Sequence, residues 1–217
     1  MRMDNITRFF EQKQKDCDVT IQYYEDHAEE FISNTIDADM KDIRSRFLTC
    51  LPEGGRILDF GCGTGRDAKA FLEMGYKVRA LDGSRALCQA AGEITGLLVR
   101  CMDFRSYFPE KGEIYDGIWA CASLLHLKKE ELIPVLQNLG KALTDGGTLY
   151  VSFKYGDFEG ERNGRYFTDF TFERFSEFMK GIPDFGITEH WVTGDVRPGR
   201  GDERWLNMLL EKRTIRI

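Results

Sequence analysis

A short glycine-rich stretch has the residue spacing in this chain that most clearly suggests ligand binding. Residues 57–68 read ILDFGCGTGRDA, an apolar segment followed by Gly61, Gly63 and Gly65 and then by residues of helical character. Glycine permits positive φ and lets a ligand touch the backbone, while the start of a helix offers unpaired N–H groups. The stretch therefore predicts a nucleotide-like ligand held between a strand and a helix.

The residue after the third glycine argues against two common occupants of such a loop. A dinucleotide fingerprint requires glycine or alanine where this chain has Arg66, and the third glycine comes one residue early, as Gly65. A P-loop requires Gly-Lys-Ser/Thr after the glycines, and that sequence does not follow. The spacing thus disfavours a nicotinamide oxidoreductase and a nucleoside-triphosphate site.

The order of motifs resembles the class I S-adenosylmethionine-dependent methyltransferases. The spacing Asp59-x-Gly61-x-Gly63-x-Gly65 is similar to the loop after their first strand, and ALDGS, CMDF, YDGIWACASLLHL and LTDGGTLYVSF follow in the family's order. The resemblance spans about residues 20 to 212. The local pattern GCGTGRDAKAFLEMGYKVRALDGS is similar to the small ubiquinone/menaquinone-type and tellurite-resistance-type branch.

The resemblance implies S-adenosyl-L-methionine as cofactor and S-adenosyl-L-homocysteine as product. Asp82 would accept both ribose hydroxyls, a task that suits a carboxylate, and Asp103 would bind the adenine amino group between apolar neighbours. The residues expected at the cofactor are Tyr24, Asp59, Gly61, Cys62, Gly63, Arg66, Asp82, Gly83, Met102, Asp103, Phe104, Ala120 and Cys121.

Three of these assignments have a structural alternative. Tyr24, with Ala28 and Phe31, matches a Y-x-x-x-A-x-x-F/Y segment that closes over the methionine end of the cofactor in many small relatives, but the same residues suit core packing. Asp59 could instead hold the loop by accepting backbone N–H bonds. Arg66 could hold the cofactor carboxylate or an acidic substrate, or could be a solvated surface arginine.

His126 is the candidate catalytic residue. It follows the fourth predicted strand, near the expected position of the substrate, and could act as a general base. Methyl transfer from a sulfonium needs little help from the protein, however, because alignment of nucleophile, methyl group and sulfur can supply most of the acceleration. The sequence leaves both mechanisms open.

Two basic loops with aromatic residues predict the substrate side. The sequences KYGDFEGERNGRYFTDF and DVRPGRGDERW follow strands whose carboxyl ends border the predicted crevice. Arginines beside aromatic rings suit a planar or apolar anion, so the substrate residues expected here are Tyr155, Arg165, Tyr166, Arg197 and Arg200. The alternative is that these arginines pair with acidic residues interleaved in the same loops.

The periodicity of apolar residues predicts an α/β fold. Strands at RILDF, YKVRALD, GLLVRCMD, YDGIWACA and GTLYVSFKY alternate with helices, and ITEHWVTGDV and RWLNMLLEKR form a final hairpin. We expect a doubly wound, Rossmann-like sheet of seven strands, mostly parallel with an antiparallel terminal strand and helices on both faces. We expect residues 1–217 to form one domain, in which N-terminal helices within residues 1–54 cover the cofactor and residues 55–217 form the core.

Composition limits the partners. The net charge of −6 argues against nucleic acid or an anionic membrane surface, and no apolar run is long enough to span a bilayer. The charged N-terminus and six cysteines without a C-x-x-C pair predict a cytoplasmic protein with free thiols and no metal site. We expect a small-molecule methyltransferase, monomeric or homodimeric. The alternatives are an RNA or protein methyltransferase and a non-catalytic cofactor-binding subunit.

Overall fold

A seven-stranded sheet forms the centre of the molecule. The computed structural model describes residues 19–197 and 199–214. The strands of the sheet are β1 (Arg56–Phe60), β2 (Lys77–Asp82), β3 (Arg100–Cys101), β4 (Tyr115–Ala120), β5 (Leu143–Lys154), β8 (Phe185–Gly194) and β9 (Arg204–Lys212). Their order in space is β3-β2-β1-β4-β5-β9-β8.

The pairing directions confirm the doubly wound fold. The first five strands pair in parallel, and β9 pairs antiparallel with both β5 and β8. The strand order reverses between β1 and β4, so the chain leaves these two strands in opposite directions and opens a crevice at their carboxyl ends. This crevice is where the predicted glycine loop lies.

Helices cover both faces of the sheet. They are α1 (Val19–Asp26), α2 (Ala28–Thr35), α3 (Lys41–Leu48), α4 (Arg66–Glu73), α5 (Arg85–Thr95), α6 (Lys129–Ala142) and α7 (Phe172–Met179). On one face, α3 and α4 bury Phe47 and Phe71 against Trp119 of β4. On the other face, α6 and α7 bury a larger apolar cluster that includes Leu136 and Phe175.

Local sequence signals account for several helix ends. The Ser84 side chain accepts a hydrogen bond from the Leu87 amide at the start of α5, and Thr171 does the same for the Arg174 amide at α7. Gly96 ends α5 in the left-handed conformation. These caps satisfy backbone groups that the helices leave unpaired.

Two predicted elements differ from the structure. The sequence TIQYYEDHAEEFIS predicts one amphipathic helix over residues 20–33, but the structure divides it at His27 into α1 and α2. The His27 amide still donates to the Tyr23 carbonyl at 3.0 Å, and the ring nitrogen Nδ1 lies 2.8 Å from the same oxygen. The third strand, expected over residues 96–103, is limited to Arg100–Cys101, because only Leu81 and Asp82 of β2 pair with it.

A small hairpin was not expected. Strands β6 (Glu159–Arg162) and β7 (Arg165–Thr168) form a separate two-stranded sheet in the segment between β5 and α7. Asn163 and Gly164 form its turn with φ of 51° and 73°. An Asn-Gly pair is the strongest short-range signal for a two-residue hairpin turn, so the sequence did contain the information.

Among the residues that the structure describes, no helix combines the length and apolarity that crossing a bilayer requires.

Candidate active site

The crevice is a cavity of about 250 Å³ at the carboxyl ends of the central strands. Its walls come from the glycine loop, α1, the end of β4, the hairpin β6–β7 and the turn between β8 and β9. Of the residues predicted for the site, it brings together Tyr24, Gly61, Cys62, Gly63, Arg66, Asp82, Gly83, Asp103, Phe104, Cys121, His126, Arg165, Arg197 and Arg200.

The glycine loop is shaped by close packing. Gly61, Gly63 and Gly65 all have positive φ, of 84°, 53° and 78°. A Cβ atom at Gly61 would lie 2.3 Å from the Ser123 Cβ, so no larger residue fits there. The loop therefore presents bare backbone to the cavity, which is the property expected from the sequence.

Asp82 holds this loop in place. Its Oδ2 accepts a hydrogen bond from the Gly63 amide and its Oδ1 accepts one from the Ser84 amide, both at 2.9 Å. Burial raises the pKa of the Asp82 carboxyl, and these amides act in the opposite direction. Each oxygen retains lone-pair capacity towards the cavity, which is what two ribose hydroxyls require.

Asp103 lies at the cavity wall with its carboxylate already engaged. Both its oxygens accept hydrogen bonds from the Arg105 guanidinium, and Oδ1 also accepts one from the Arg105 amide at 2.8 Å. Phe104, beside it, packs on Phe60 with a centroid distance of 4.8 Å. The pair supplies an apolar surface with a carboxylate edge, as an adenine slot would need.

Asp59 lies beneath the loop and outside the cavity lining. It is buried, and its Oδ2 has no hydrogen-bond partner among the described residues. Burial and the nearby Asp67 carboxylate raise the pKa of Asp59 well above its usual range, partly opposed by Arg66 and the Ala68 amide. The amide that contacts Asp59 belongs to Ala68 of α4 and not to the glycine loop, so both roles that the sequence offered for Asp59 stay predictions.

Arg66 lines the cavity, but its charge is balanced. Its guanidinium donates to Asp67 at 2.6 Å and to the Thr35 carbonyl at 3.2 Å. The same Asp67 accepts hydrogen bonds from Arg44 of α3 at 2.6 Å and from the Trp119 indole of β4 at 3.0 Å. This buried carboxylate therefore ties three elements together, and its pKa is lowered by the two arginines despite burial.

His126 has both ring nitrogens engaged. Nδ1 lies 2.7 Å from the Tyr166 carbonyl and Nε2 lies 2.9 Å from the Tyr24 hydroxyl. Burial lowers the pKa of His126 to about 4, and the positive charges of Arg165, Arg162 and Lys154 act in the same direction. The imidazole is therefore neutral at physiological pH.

Arg165 differs from the other cations of the cavity. It has no acidic partner among the described residues, and its Nε is buried without a hydrogen bond. Its guanidinium carbon lies 4.4 Å from the ring centroid of Tyr23 and 5.2 Å from that of Phe167, and Nη1 lies 3.4 Å from the Tyr24 hydroxyl. A desolvated guanidinium among aromatic rings is prepared to bind an anion.

The remaining basic residues of the rim are paired with carboxylates. The pairs are Lys154 and Arg200 with Glu203, Arg162 with Asp169, and Arg197 with Asp195. Hydrogen bonds from Arg197 lower the pKa of Asp195 to about 2, although burial opposes them. Arg197 and Arg200 thus pair with acidic residues of the same loop, which is the alternative that the sequence left open. Arg165 has no such partner among the described residues and is therefore available to bind an anion.

Four further predicted residues lie outside the cavity lining, and strand alternation explains three of them. Ala120 precedes the cavity residue Cys121 and is buried on the opposite side of β4. Tyr155 follows Lys154 and is 44% exposed. The Tyr166 side chain contacts Glu159, because Arg165 and Phe167, its neighbours on β7, point into the cavity. Met102 packs on the apolar core beside Phe104.

The sequence reasoning missed a polar wall on the central strands. Tyr150 and Ser152 of β5 and Asn207 of β9 line the cavity, and the Tyr150 hydroxyl donates to the Asn207 side chain at 2.7 Å. Ser123, also missed, has a buried hydroxyl without a partner in the described part of the chain. Polar residues at alternate positions of an otherwise apolar strand were the available signal.

The fold is the Rossmann-like fold typical of methyltransferases. The cofactor that the resemblance implies is S-adenosylmethionine. The residues of the site fit this cofactor. The glycine loop offers bare backbone, Asp82 offers a carboxylate with free lone pairs for the ribose, and Phe104 offers an apolar surface for the adenine. The unpartnered Ser123 hydroxyl beside Gly61 adds a polar group directed at the same space.

Comparisons with known proteins also find similarity to methyltransferases. Residues 57–147 match the family model described as a methyltransferase domain. The Bacillus subtilis protein YqeM is 30% identical over 116 residues, which cover 49% of this chain and 47% of YqeM. The chain spans about half the length of the curated relatives it matches.

Solved structures share the fold. The Burkholderia thailandensis 1,6-didemethyltoxoflavin-N1-methyltransferase, with bound 1,6-didemethyltoxoflavin and S-adenosylhomocysteine, superposes with a TM-score of 0.70 at 21% identity over 89% of this chain and 85% of its own. TehB from Haemophilus influenzae has a TM-score of 0.63 at 18% identity, covering 87% of this chain and 67% of its own.

Proposed function

We propose that this protein transfers the methyl group of S-adenosylmethionine to a small anionic molecule by direct in-line displacement. The observation that carries the anionic assignment is Arg165, the cavity cation without a carboxylate partner in the described residues. A substrate carboxylate or phosphate would give this guanidinium the charge-assisted hydrogen bonds that it lacks.

The cofactor would occupy the half of the cavity built by the glycine loop. In this proposal Asp82 binds the ribose hydroxyls, Phe104 and Asp103 flank the adenine, and the backbone of Gly61 and Gly63 contacts the remainder. When bound, the cofactor supplies a methyl group already activated on a sulfonium. The chain contributes orientation and exclusion of water, which can account for most of the acceleration.

A small substrate suits the enclosure of the site. Helix α1 and the hairpin β6–β7 meet over the cavity, where the Thr20 hydroxyl accepts a hydrogen bond from the Tyr166 amide at 2.9 Å. An RNA or protein methyltransferase needs an open surface for a macromolecule, and the net charge of −6 adds to the case against RNA. The N1-methyltransferase from Burkholderia thailandensis, whose structure holds a small molecule, offers a precedent on the same fold.

The non-catalytic alternative finds no support in the cofactor half. A regulatory subunit has no need of a second compartment with an unpaired cation, whereas this cavity extends from Asp82 to Arg165. The branch assignment, to the ubiquinone/menaquinone-type or tellurite-resistance-type enzymes, remains part of this proposal, and the likeness to TehB is consistent with it.

Calorimetry and kinetics test the two halves separately. S-adenosylhomocysteine should bind with a micromolar dissociation constant, of the order usual for such ligands, and NAD should not bind. With an acceptor found by screening a metabolite extract, Arg165→Met should raise KM by roughly tenfold or more, because a charge-assisted contact is lost. Arg174→Met, an exposed arginine of α7 outside the cavity, serves as the matched control.

Arg197→Met should have a smaller effect on KM than Arg165→Met, because Asp195 already neutralises Arg197. S-adenosylhomocysteine affinity should stay within about twofold in the Arg165 variant. A large loss of that affinity would assign Arg165 to the cofactor carboxylate instead, and a cationic substrate would remove the anion-binding role altogether.

A further inference from the structure

The Tyr24 hydroxyl and the His126 ring form a hydrogen-bonded pair at the cavity wall. From this contact we propose that Tyr24 takes the proton from the methyl acceptor while its own proton passes to His126. The inference rests on the proposed function and narrows it to acceptors that lose a proton on methylation.

The tautomer of His126 follows from its partners. A backbone carbonyl only accepts hydrogen bonds, so Nδ1 must carry the proton that it shares with the Tyr166 carbonyl at 2.7 Å. Nε2 is then an acceptor, and Tyr24 donates its hydroxyl proton to it at 2.9 Å. His126 has no free nitrogen for a substrate, so a direct general-base role is replaced by one behind Tyr24.

Packing fixes both side chains in this arrangement. The Tyr24 ring stands edge-on to Phe31 of α2, with a centroid distance of 5.1 Å. The His126 ring stands edge-on to Phe167 of β7 at 4.9 Å. Tyr24 lines the cavity and its hydroxyl lies 3.4 Å from Arg165 Nη1, so an acceptor atom next to an anion bound at Arg165 would lie close to this hydroxyl.

The surrounding charges make the pair responsive to an anion. Arg165 of β7, Arg162 of β6 and Lys154 of β5 all oppose a positive charge on His126. Burial raises the pKa of Tyr24, and Arg165 lowers it, with Asp82 and Arg197 acting more weakly in opposite directions. An anionic substrate at Arg165 would neutralise the nearest of these cations and thereby make the imidazolium easier to form.

The protons and electrons balance without a further reactant. The acceptor's lone pair forms the bond to the methyl carbon, and the electron pair of the broken carbon–sulfur bond stays on sulfur, which becomes neutral. The acceptor's proton moves to the Tyr24 oxygen as the Tyr24 proton moves to His126 Nε2. After the products leave, His126 Nε2 returns its proton to the Tyr24 oxygen, and the Tyr24 hydroxyl releases its other proton to water in the opened cavity. Suitable acceptors carry a hydroxyl, thiol or ring N–H beside a carboxylate or phosphate.

Kinetics of matched variants test the relay. The probes are planar carboxylic acids that bear a phenol or a ring N–H, and the readout is S-adenosylhomocysteine formation. Tyr24→Phe and His126→Asn should each lower kcat by about 100-fold, and the double variant should be no worse than either, because both residues act in one proton path. Tyr155→Phe, an exposed tyrosine outside the cavity, is the control.

A measurement that does not depend on methyl transfer distinguishes a failure of the Tyr24–His126 relay from a failure of the proposed function. Nitrogen-15 NMR of the complex with S-adenosylhomocysteine should show His126 as the neutral Nδ1–H tautomer, with its titration midpoint moving to higher pH when benzoate is added. Arg165→Met should abolish that movement. An Nε2–H tautomer, or full activity in Tyr24→Phe, overturns the relay alone, whereas absence of S-adenosylhomocysteine binding overturns the proposed function.

Discussion

Asp82 combines two roles in one carboxylate. It fixes the backbone of the glycine loop through Gly63 and caps the approach to α5 through Ser84, and the same oxygens border the cavity. We expect a substitution there to remove the proposed ribose contact and to loosen the loop that shapes the adjoining surface. The cofactor half of the site is consequently most sensitive at this residue.

Asp82→Ala should weaken S-adenosylhomocysteine binding by roughly 2 kcal/mol or more, because two charge-assisted hydrogen bonds are lost. Asp103→Ala should cost less, since Arg105 already occupies that carboxylate. Isothermal titration calorimetry of both variants checks the ranking. Unchanged affinity in Asp82→Ala would exclude the ribose assignment.

At the residue scale, more of the residues predicted at the glycine loop than of those predicted in the basic loops line the cavity. Gly61, Gly63 and Asp82 lie at strand ends, where their positions follow from the order of the strands. Tyr166 and Arg165 are adjacent in sequence, and only the register of the hairpin decides which one points inward. That register depends on the Asn163-Gly164 turn, which the sequence reasoning had taken for part of a loop.

At the element scale, α1 is attached to the rest of the molecule through its polar side chains. The Glu25 carboxylate accepts hydrogen bonds from the Arg85 and Ala86 amides at the start of α5, where the helix dipole favours a negative charge. On the other side, Thr20 binds the backbone of β7. The helix therefore bridges the cofactor half and the hairpin.

Glu25→Gln should release the α5 side of α1 and weaken S-adenosylhomocysteine binding by about 1 kcal/mol, because the charged cap is lost. Hydrogen–deuterium exchange should become faster across α1 in this variant. Glu29→Gln, an exposed acid one turn further on, is the control and should leave exchange unchanged. Equal exchange rates in the two variants would show that Glu25 does not anchor the helix.

The elements were largely predictable where apolar periodicity was regular, as in β1, β4 and α6. The break at His27 was not, because no glycine or proline marks it in the sequence. The length of β3 was overestimated because the residues before Arg100 have the composition of a strand, but β2 pairs only with Arg100 and Cys101. Tertiary pairing decided the length of this strand.

At the scale of the whole molecule, His126 links acid pH to stability. Its pKa falls from 6.5 to about 4 on folding, so the unfolded chain binds more protons between these values. The stabilisation from the neutral imidazole is complete above pH 6.5 and is lost as the pH falls towards 4. Asp59 and Asp82, whose pKa values are raised, act in the opposite direction.

Between pH 7 and pH 4 the free energy of unfolding should fall in both the native protein and His126→Asn. The decrease should be larger in the native protein, by on the order of 2 kcal/mol. Urea denaturation at several pH values measures both curves. The variant isolates His126, because the carboxylates contribute equally to the two proteins. Parallel curves would mean that His126 titrates normally in the folded state.

The hairpin β6–β7 begins and ends at one place on the main sheet. Tyr155 and Phe170 form an isolated bridge, so the residues between them leave and re-enter the scaffold at neighbouring backbone positions. This segment carries Arg162, Arg165 and Phe167 into the cavity. We therefore expect that this segment can be replaced by a different loop without disturbing the main sheet. Its contacts with α1 are made through Thr20 and Tyr24. Such a replacement would change the preference for the methyl acceptor and leave the residues at the methyl donor in place.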